Sequence, residues 1–220
     1  MQSTGELHVT WLVKAYLWAT ELLYGPLAWA YDAVAWLVSF GYWSAWRLDA
    51  LGYLKPGSVL EIGFGTGDLL LALAEGGYDV VGLELSPQMH RVTARKLKET
   101  ALNVKRVRGH AESLPFPSGM FENLISTFPS NYILSEKTLG ESRRVLACKG
   151  RWVVVGLGVR FTSALKRRLT NLWLGRAEEA AIYHFTRLSE DAGFSVTRID
   201  HQTQAYRLPV LILERNDAAD

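Results

Sequence analysis

The chain has 220 residues, of which 49% are apolar and 21% are charged, and its formal net charge is +2. This length and composition predict one sizeable globular domain, and the small net charge gives no global field that would favour nucleic acid as a partner. Cys148 is the only cysteine, which excludes a disulfide framework and is typical of a reducing, cytoplasmic compartment. One cysteine and five histidines without ligand spacing predict no metal site.

The first fifty residues lack the features of a leader peptide or of a membrane span. They contain neither a basic n-region nor a small-residue cleavage site, so no signal peptide is predicted. Their longest uncharged run, residues 33–46, is shorter than the roughly 20 residues that a spanning helix needs.

Tryptophan spacing predicts helices in this region. Six of the eight tryptophans precede Gly52, and they are Trp11, Trp18, Trp29, Trp36, Trp43 and Trp46. Trp11 and Trp18 are seven residues apart, and so are successive members of the set Trp29, Trp36 and Trp43. Because seven residues are nearly two helical turns, each set is predicted to line one face of a helix. The sequence YGP at residues 24–26 separates the two helices, and residues 1–52 are interpreted as an N-terminal helical cap. The alternative is that these tryptophans form a buried core.

Residues 53–220 alternate β-rich and helical stretches. The predicted strands are SVLEI, YDVVGLEL, NVKRVRG, FENLISTF, GRWVVVGLG, FSVTRIDHQTQ and YRLPVLILER, the last two forming an antiparallel pair. Helices are predicted after the first strand, in SPQMHRVTARKLKET with Ser86 as N-cap and Pro87 at the first position, in SEKTLGESRRVLAC, and in HFTRLSEDAG closed by Gly193. Alternating β and α elements predict a doubly wound, mostly parallel sheet.

A glycine-rich turn follows the first strand in VLEIGFGTGDLL. Gly63, Gly65 and Gly67 allow a tight turn and a close approach to a ligand at the carboxyl end of the sheet. The next strand ends in Glu84, whose carboxylate can accept hydrogen bonds from both hydroxyls of a ribose. Nicotinamide-binding enzymes carry G-x-G-x-x-G, whereas this chain has G-x-G-x-G preceded by Glu61. The alternative is a turn that only packs helix on strand.

With these motifs the sequence resembles the class I S-adenosylmethionine-dependent methyltransferases, over about residues 55–215. VLEIGFGTG, GLELSPQM, GHAESLPFPSGMFENLIS, RRVLACKGRWVVVG and LSEDAGFSV match successive motifs of that family. The resemblance implies a Rossmann-like α/β fold with a seven-stranded, mostly parallel sheet whose last strand is antiparallel. It also implies S-adenosyl-L-methionine as cofactor and S-adenosyl-L-homocysteine as product.

The resemblance also implies a set of cofactor contacts. Glu61 would orient the turn and the methionine amino end, Glu84 the ribose, and Leu85 the adenine. His110 stands where the family usually has an acid that reaches the adenine amino group, and it either accepts that hydrogen bond or faces solvent without a role. The full predicted cofactor set is Tyr24, Glu61, Gly63, Gly65, Gly67, Glu84, Leu85, His110, Ala111, Glu112 and Thr127.

Within this family the pattern is similar to that of small bacterial phospholipid (phosphatidylethanolamine N-) and quinone-type methyltransferases. The shared features are an N-terminal helix with Tyr31–Asp32 and the stretch TFPSNYI. By this analogy Tyr24 and Tyr31 would face the sulfonium, and Pro129, Ser130, Asn131 and Tyr132 would line the acceptor pocket. Tyr31, His110 and Tyr132 are the candidate catalytic residues.

Two variable regions predict a lipid or lipophilic acceptor, met at an anionic membrane surface on the inner face. One is the tryptophan-rich cap, and the other is residues 158–183, interpreted as a basic amphipathic helix inserted after the fifth strand. The alternatives are a solvated basic face, a soluble small-molecule methyltransferase, and a cofactor-binding protein without catalysis. TFPSN replaces the NPPY-like tetrapeptide of nucleic-acid methyltransferases, so nucleic acid is not the expected partner.

Overall fold

The computed structural model describes residues 22, 25, 27–100, 102–168 and 177–216. Its helices include α1 (Tyr31–Val38), α2 (Trp43–Asp49), α3 (Asp68–Glu75), α4 (Pro87–Lys98), α5 (Glu136–Val145) and α6 (Ala177–Asp191), with 3₁₀ turns at Ala28–Ala30, Ala50–Tyr53 and Asn131–Leu134. Its strands are β1 (Ser58–Ile62), β2 (Asp79–Glu84), β3 (Lys105–Arg108), β4 (Phe121–Thr127), β5 (Leu146–Val155), β6 (Arg160–Phe161), β7 (Phe194–Gln202) and β8 (Tyr206–Arg215).

The eight described strands form one sheet in the order β3-β2-β1-β4-β5-β8-β6, with β7 paired to β8. β1 to β5 pair in parallel, whereas β8 runs antiparallel to both β5 and β7. This confirms the predicted α/β fold. The sheet has one strand more than the seven predicted, because the two residues of β6 pair with Arg207 and Tyr206 at the start of β8.

The central strands are buried on both faces because helices cover the sheet from both sides. Val59 of β1 packs in the cluster that contains the buried leucines of α3, whereas Leu60, which points to the other face, packs with Leu139 of α5. Neighbouring residues on a strand point to opposite faces, so a strand covered twice is apolar at every position. This burial fixes the carboxyl ends of β1, β2 and β4 side by side.

The predicted continuous helix through Trp29, Trp36 and Trp43 is wrong, because the chain breaks between α1 and α2. Phe40 and Gly41 have left-handed φ values of 53° and 83°, and the Gly41 N–H donates to the Trp36 carbonyl at 2.8 Å, which closes the end of α1. Trp29 and Trp36 are 72% and 62% exposed, whereas Trp46 is buried in the core. Trp11 and Trp18 lie outside the described residues.

Hydrogen-bonded ion pairs attach the cap helices to the domain beneath the glycine turn. Asp32 of α1 accepts hydrogen bonds from Thr66 Oγ1 and from Lys96 Nζ, each at 2.6 Å. Arg47 Nη2 of α2 donates to Asp68 Oδ2 at 2.8 Å, and Lys96 also contacts Asp68. No described helix has the length and apolarity needed to cross a membrane.

The basic segment at residues 158–183 is not one amphipathic helix in its described part. Arg160 and Phe161 form β6, helical residues begin at 164, and the last part belongs to α6. Phe161 is buried whereas Leu165 is exposed, so these two side chains do not share an apolar face. Arg160 forms an ion pair with Glu179 at 3.2 Å. Glu179 lies within the predicted segment, but helical spacing alone does not predict that these two residues meet. Residues 169–176 lie outside the described residues.

Candidate functional site

The glycine turn links β1 to α3 and depends on left-handed backbone. Gly63, Gly65 and Gly67 have φ values of 81°, 53° and 83°, a region that side-chain-bearing residues rarely adopt. A Cβ atom at Gly63 would lie 2.7 Å from Tyr132 Oη, and one at Gly67 would overlap the Thr93 side chain. Gly65 has open space around it, so backbone conformation alone favours glycine there.

Glu84, at the end of β2, braces this turn. Its Oε2 accepts from the Gly65 N–H at 3.1 Å, and its Oε1 accepts from the Ser86 N–H at 2.8 Å. Ser86 then caps α4 by accepting from the Met89 N–H, as the sequence predicted. Because a carboxylate has about four acceptor positions, both oxygens of Glu84 keep capacity for ligand hydroxyls.

A cleft of about 620 Å³ opens beside these residues, within the usual range of small-molecule sites. Its lining comes from the ends of β1, β2 and β4 and from the loop after β3. The lining residues are Ile62, Gly63, Leu83, Glu84, Leu85, Ser86, Pro87, Gln88, Arg108, Gly109, His110, Ala111, Glu112, Phe128, Pro129, Ser130 and Tyr132. The position matches the rule that ligands bind outside the carboxyl ends of parallel strands.

Most residues predicted from the sequence lie in or beside this cleft. Those that line it are Gly63, Glu84, Leu85, His110, Ala111, Glu112, Pro129, Ser130 and Tyr132. Those that do not line it are Tyr31, Glu61, Gly65, Gly67, Thr127 and Asn131. Tyr24 lies outside the described residues.

The candidate catalytic residues differ in their surroundings. His110 is exposed at the cleft, whereas the Tyr132 hydroxyl donates to the Ile62 carbonyl at 2.7 Å. The Tyr31 ring lies 6.1 Å from the Trp43 ring, outside the cleft lining. Of these three side chains, His110 is therefore the one that is exposed at the cleft.

Glu61 is buried beneath the turn, with 1% of its surface exposed. Burial raises its pKa to about 8, and the nearby charges of Glu84 and Asp68 act in the same direction against the guanidinium of Arg47. Its Oε2 has no hydrogen-bond partner among the described residues. A buried acceptor of this kind, two residues before Gly63, fits a cationic ligand group.

Phe128 and Arg47 were missed by the sequence analysis. Phe128 follows β4 with a left-handed φ of 48°, and its ring packs against Trp43 at a tilt, with centroids 4.2 Å apart. A side chain at Gly156 would overlap the Phe128 ring. Bulky residues with positive φ are costly and concentrate at ligand sites. The stretch TFPSNYI contains Phe128, but the residue type does not signal a left-handed backbone. Arg47 lacks a signal because only the fold brings it to Asp68.

These residues fit S-adenosylmethionine. Glu84 keeps acceptor capacity for ribose hydroxyls, and the exposed Leu85 and the loop at His110 and Ala111 offer an adenine surface. The unpartnered Oε2 of Glu61 suits the methionine ammonium. The described residues contain no group of three or more potential ligands that could hold a metal ion.

Comparison with known proteins gives consistent results. A family profile described as "Methyltransferase domain" matches residues 59–150. A demethylmenaquinone methyltransferase from Thermus thermophilus is 37% identical over 60% of this chain and 63% of its own length. One from Thermotoga maritima is 30% identical over 69% of each chain. A ubiquinone/menaquinone biosynthesis C-methyltransferase from Citrobacter koseri is 33% identical over 57% of this chain and 53% of its own. The chain thus spans about half to two thirds of these curated relatives.

Solved structures share the fold at lower identity. A putative S-adenosyl-L-methionine-dependent methyltransferase from Methanococcus maripaludis has a TM-score of 0.60 at 15% identity, covering 99% of this chain and 98% of its own. The geranyl diphosphate C-methyltransferase of Streptomyces coelicolor, solved with S-adenosyl-L-homocysteine, has a TM-score of 0.59 at 15% identity, covering 78% and 79%.

Proposed function

Because the chain belongs to the class I S-adenosylmethionine-dependent methyltransferases, we propose that it transfers a methyl group from S-adenosylmethionine to a lipophilic acceptor. The first candidate acceptor is the ring carbon of a quinol. The observation that carries this proposal is the cleft, which is lined by Gly63 and Glu84 together with the aromatic residues Phe128 and Tyr132.

The carboxyl ends of β1 and β2 form the half of the cleft that would bind the methyl donor. Glu84 would bind the ribose, Leu85 would pack on the adenine, and the Ala111 N–H would donate to a ring nitrogen. Glu112 accepts from Ser135 Oγ at 2.6 Å, so it would hold the loop that carries His110 and Ala111.

The acceptor half is aromatic. Phe128 and Tyr132 line it together with Pro129 and Ser130, and aromatic side chains favour flat rings in offset or edge-to-face contact. The relatives named above carry quinone methyltransferase names, which supports a quinol as the first acceptor to test.

The chemistry needs alignment more than acid–base assistance. When bound, S-adenosylmethionine supplies a methyl group that its sulfonium has already activated. Attack by a quinol carbon would form the carbon–methyl bond as the sulfur–methyl bond of the donor breaks, and the ring hydrogen would then leave as a proton. His110 is the candidate acceptor of that proton, because a neutral imidazole nitrogen is a hydrogen-bond acceptor at the cleft. Tyr132, held by the Ile62 carbonyl, would shape the cleft.

We also propose that the cap meets a membrane, peripherally at the inner face. Trp29, Trp36, Leu37 and Val38 expose a large apolar area, and contiguous exposed apolar surface commonly marks an interaction site. Lys166 Nζ lies 5.2 Å from the Phe40 ring centroid, so the basic segment lies beside the turn between α1 and α2. Its exposed Arg167 and Arg168 then give this side a positive charge that favours anionic lipid.

A phospholipid headgroup amine is the second candidate acceptor. The same exposed cap surface favours it, since a membrane-bound enzyme meets both quinols and phospholipid headgroups. An amine acceptor would have to arrive deprotonated before it attacks the methyl group.

Methyl transfer to two vesicle preparations tests the proposal. The purified chain is incubated with methyl-labelled S-adenosylmethionine and anionic vesicles that contain either chemically reduced demethylmenaquinone or phosphatidylethanolamine. Label in the extracted quinone supports the first acceptor, and label in the phospholipid supports the second. If S-adenosylhomocysteine binds but neither lipid is labelled, both acceptors are wrong. The Glu75→Ala variant, which changes an exposed acid of α3, should transfer label at the wild-type level. The Glu84→Ala variant should transfer less label.

A further inference from the structure

Four buried polar atoms of the second cap helix and of β1 have no hydrogen-bond partner among the described residues. They are Trp43 Nε1, Trp46 Nε1, Arg47 Nε and Glu61 Oε2. Native structures pair nearly all buried polar groups, because an unpaired one loses its water without compensation. A cluster of such atoms beside a cleft fits a polar ligand.

Trp43, Arg47 and Glu61 are neighbours. The Arg47 guanidinium carbon lies 5.5 Å from the centroid of the Trp43 ring, and the Arg47 charge lowers the pKa of Glu61 against the larger effect of burial. Arg47 Nη2 donates to Asp68 Oδ2, whereas Arg47 Nε has no partner among the described residues.

This cluster adjoins the cleft described above. Trp43 packs against Phe128, and Glu61 precedes Gly63 by two residues, while Phe128 and Gly63 both line the cleft. A ligand that lies along the glycine turn can therefore extend one end towards the cluster.

One buried carboxyl group beside two buried N–H donors is complementary to an α-amino acid, whose ammonium group favours the ionised form of the carboxyl group. Glu61 offers an acceptor for the ammonium, whereas Arg47 and Trp43 offer donors for the carboxylate. Arginine is suited to this task because its charge and donor geometry match a carboxylate.

We propose that Arg47 and Trp43 of the second cap helix bind the α-carboxylate of the methionine part of S-adenosylmethionine. The inference rests on the proposed function, because that function supplies the amino acid. It assigns the cap a direct part in donor binding, with the carboxylate recognised by α2 rather than by the glycine turn.

Two donors that differ only in the carboxylate test this inference by calorimetric binding. The wild-type chain should bind decarboxylated S-adenosylmethionine roughly 10- to 100-fold more weakly than S-adenosylmethionine, the range of a charge-assisted hydrogen bond. Arg47→Met should remove most of this preference, and Trp43→Phe, which keeps the ring but loses the N–H, should reduce it. Arg95→Met, on an exposed arginine of α4, is the matched control and should keep the preference.

Equal binding of the two donors by the wild-type chain would overturn the inference while leaving the proposed function intact. Full preference in both Arg47→Met and Trp43→Phe would also overturn it. If Arg47→Met does not fold, the wild-type comparison and Trp43→Phe still decide. Failure of the wild-type chain to bind either donor would instead contradict the proposed function.

Discussion

The Gly65 N–H donates to Glu84 Oε2 across 3.1 Å, so the acid at the end of β2 holds the glycine turn at the end of β1. The other carboxylate oxygen holds the start of α4 through the Ser86 N–H. Glu84 is only 7% exposed, and it lines the cleft. One side chain thus joins the turn, the helix start and the proposed ribose position.

Replacing Glu84 with alanine should weaken S-adenosylhomocysteine binding. Loss of charge-assisted ribose contacts costs roughly 1.5–3 kcal/mol, which is about 10- to 100-fold in the dissociation constant. Isothermal titration calorimetry measures this constant, with Glu75→Ala as the control for loss of an acid elsewhere. An unchanged constant in Glu84→Ala would show that the ribose lies elsewhere.

Replacing Gly67 with alanine should destabilise the fold by at least about 2 kcal/mol, since the new side chain combines backbone strain with overlap. The φ of 83° is left-handed, and the added Cβ would overlap Thr93. Gly140→Ala is the matched control, because Gly140 lies inside α5 with open space around it and should stabilise by about 0.5–1 kcal/mol. Urea unfolding measures both, and equal effects would contradict the tight contact at Gly67.

The buried Glu61 should make stability depend on pH. Its pKa is raised from 4.5 to about 8, mainly by burial, so between these values the folded chain keeps a proton that the unfolded chain has lost. The free energy of unfolding should therefore fall as pH rises through this window. Glu61→Gln should remove that part of the decrease. Urea unfolding of both chains at about pH 5 and about pH 8 measures the difference, and identical pH dependence would show that Glu61 ionises normally.

Replacing both Trp29 and Trp36 with alanine should reduce binding to anionic vesicles and leave folding and cofactor affinity nearly unchanged. Both side chains are exposed, so their loss removes little packing. Vesicle co-sedimentation measures lipid binding, and thermal unfolding checks the fold. Trp46→Ala is the contrasting variant, because Trp46 is 5% exposed and its truncation should cost about 3–5 kcal/mol. Unchanged co-sedimentation of the double variant would contradict the proposed membrane contact.

Much of the sheet could be predicted because its strands carry local signals. The predicted SVLEI is β1, and Ser86 and Pro87 start α4 as expected. Two-residue β6 could not be predicted, because pairing with β8 forms it and so short a run has no periodicity. The left-handed backbone of Phe128 has no sequence signal, although TFPSNYI contains this residue, whereas Gly41 did offer a signal for the break after α1.

The sequence by itself determined the alternating fold, the glycine turn and the acid at Glu84, because apolar periodicity and glycine requirements are local properties of the chain. The tertiary structure alone decided which cap tryptophans are buried. Seven-residue spacing assigns a common face only within one helix, and the break at Phe40 and Gly41 turns Trp46 into the core while Trp36 stays exposed. It also decided that Arg47 lies beneath the turn, since the contact with Asp68 joins residues that are distant in the chain.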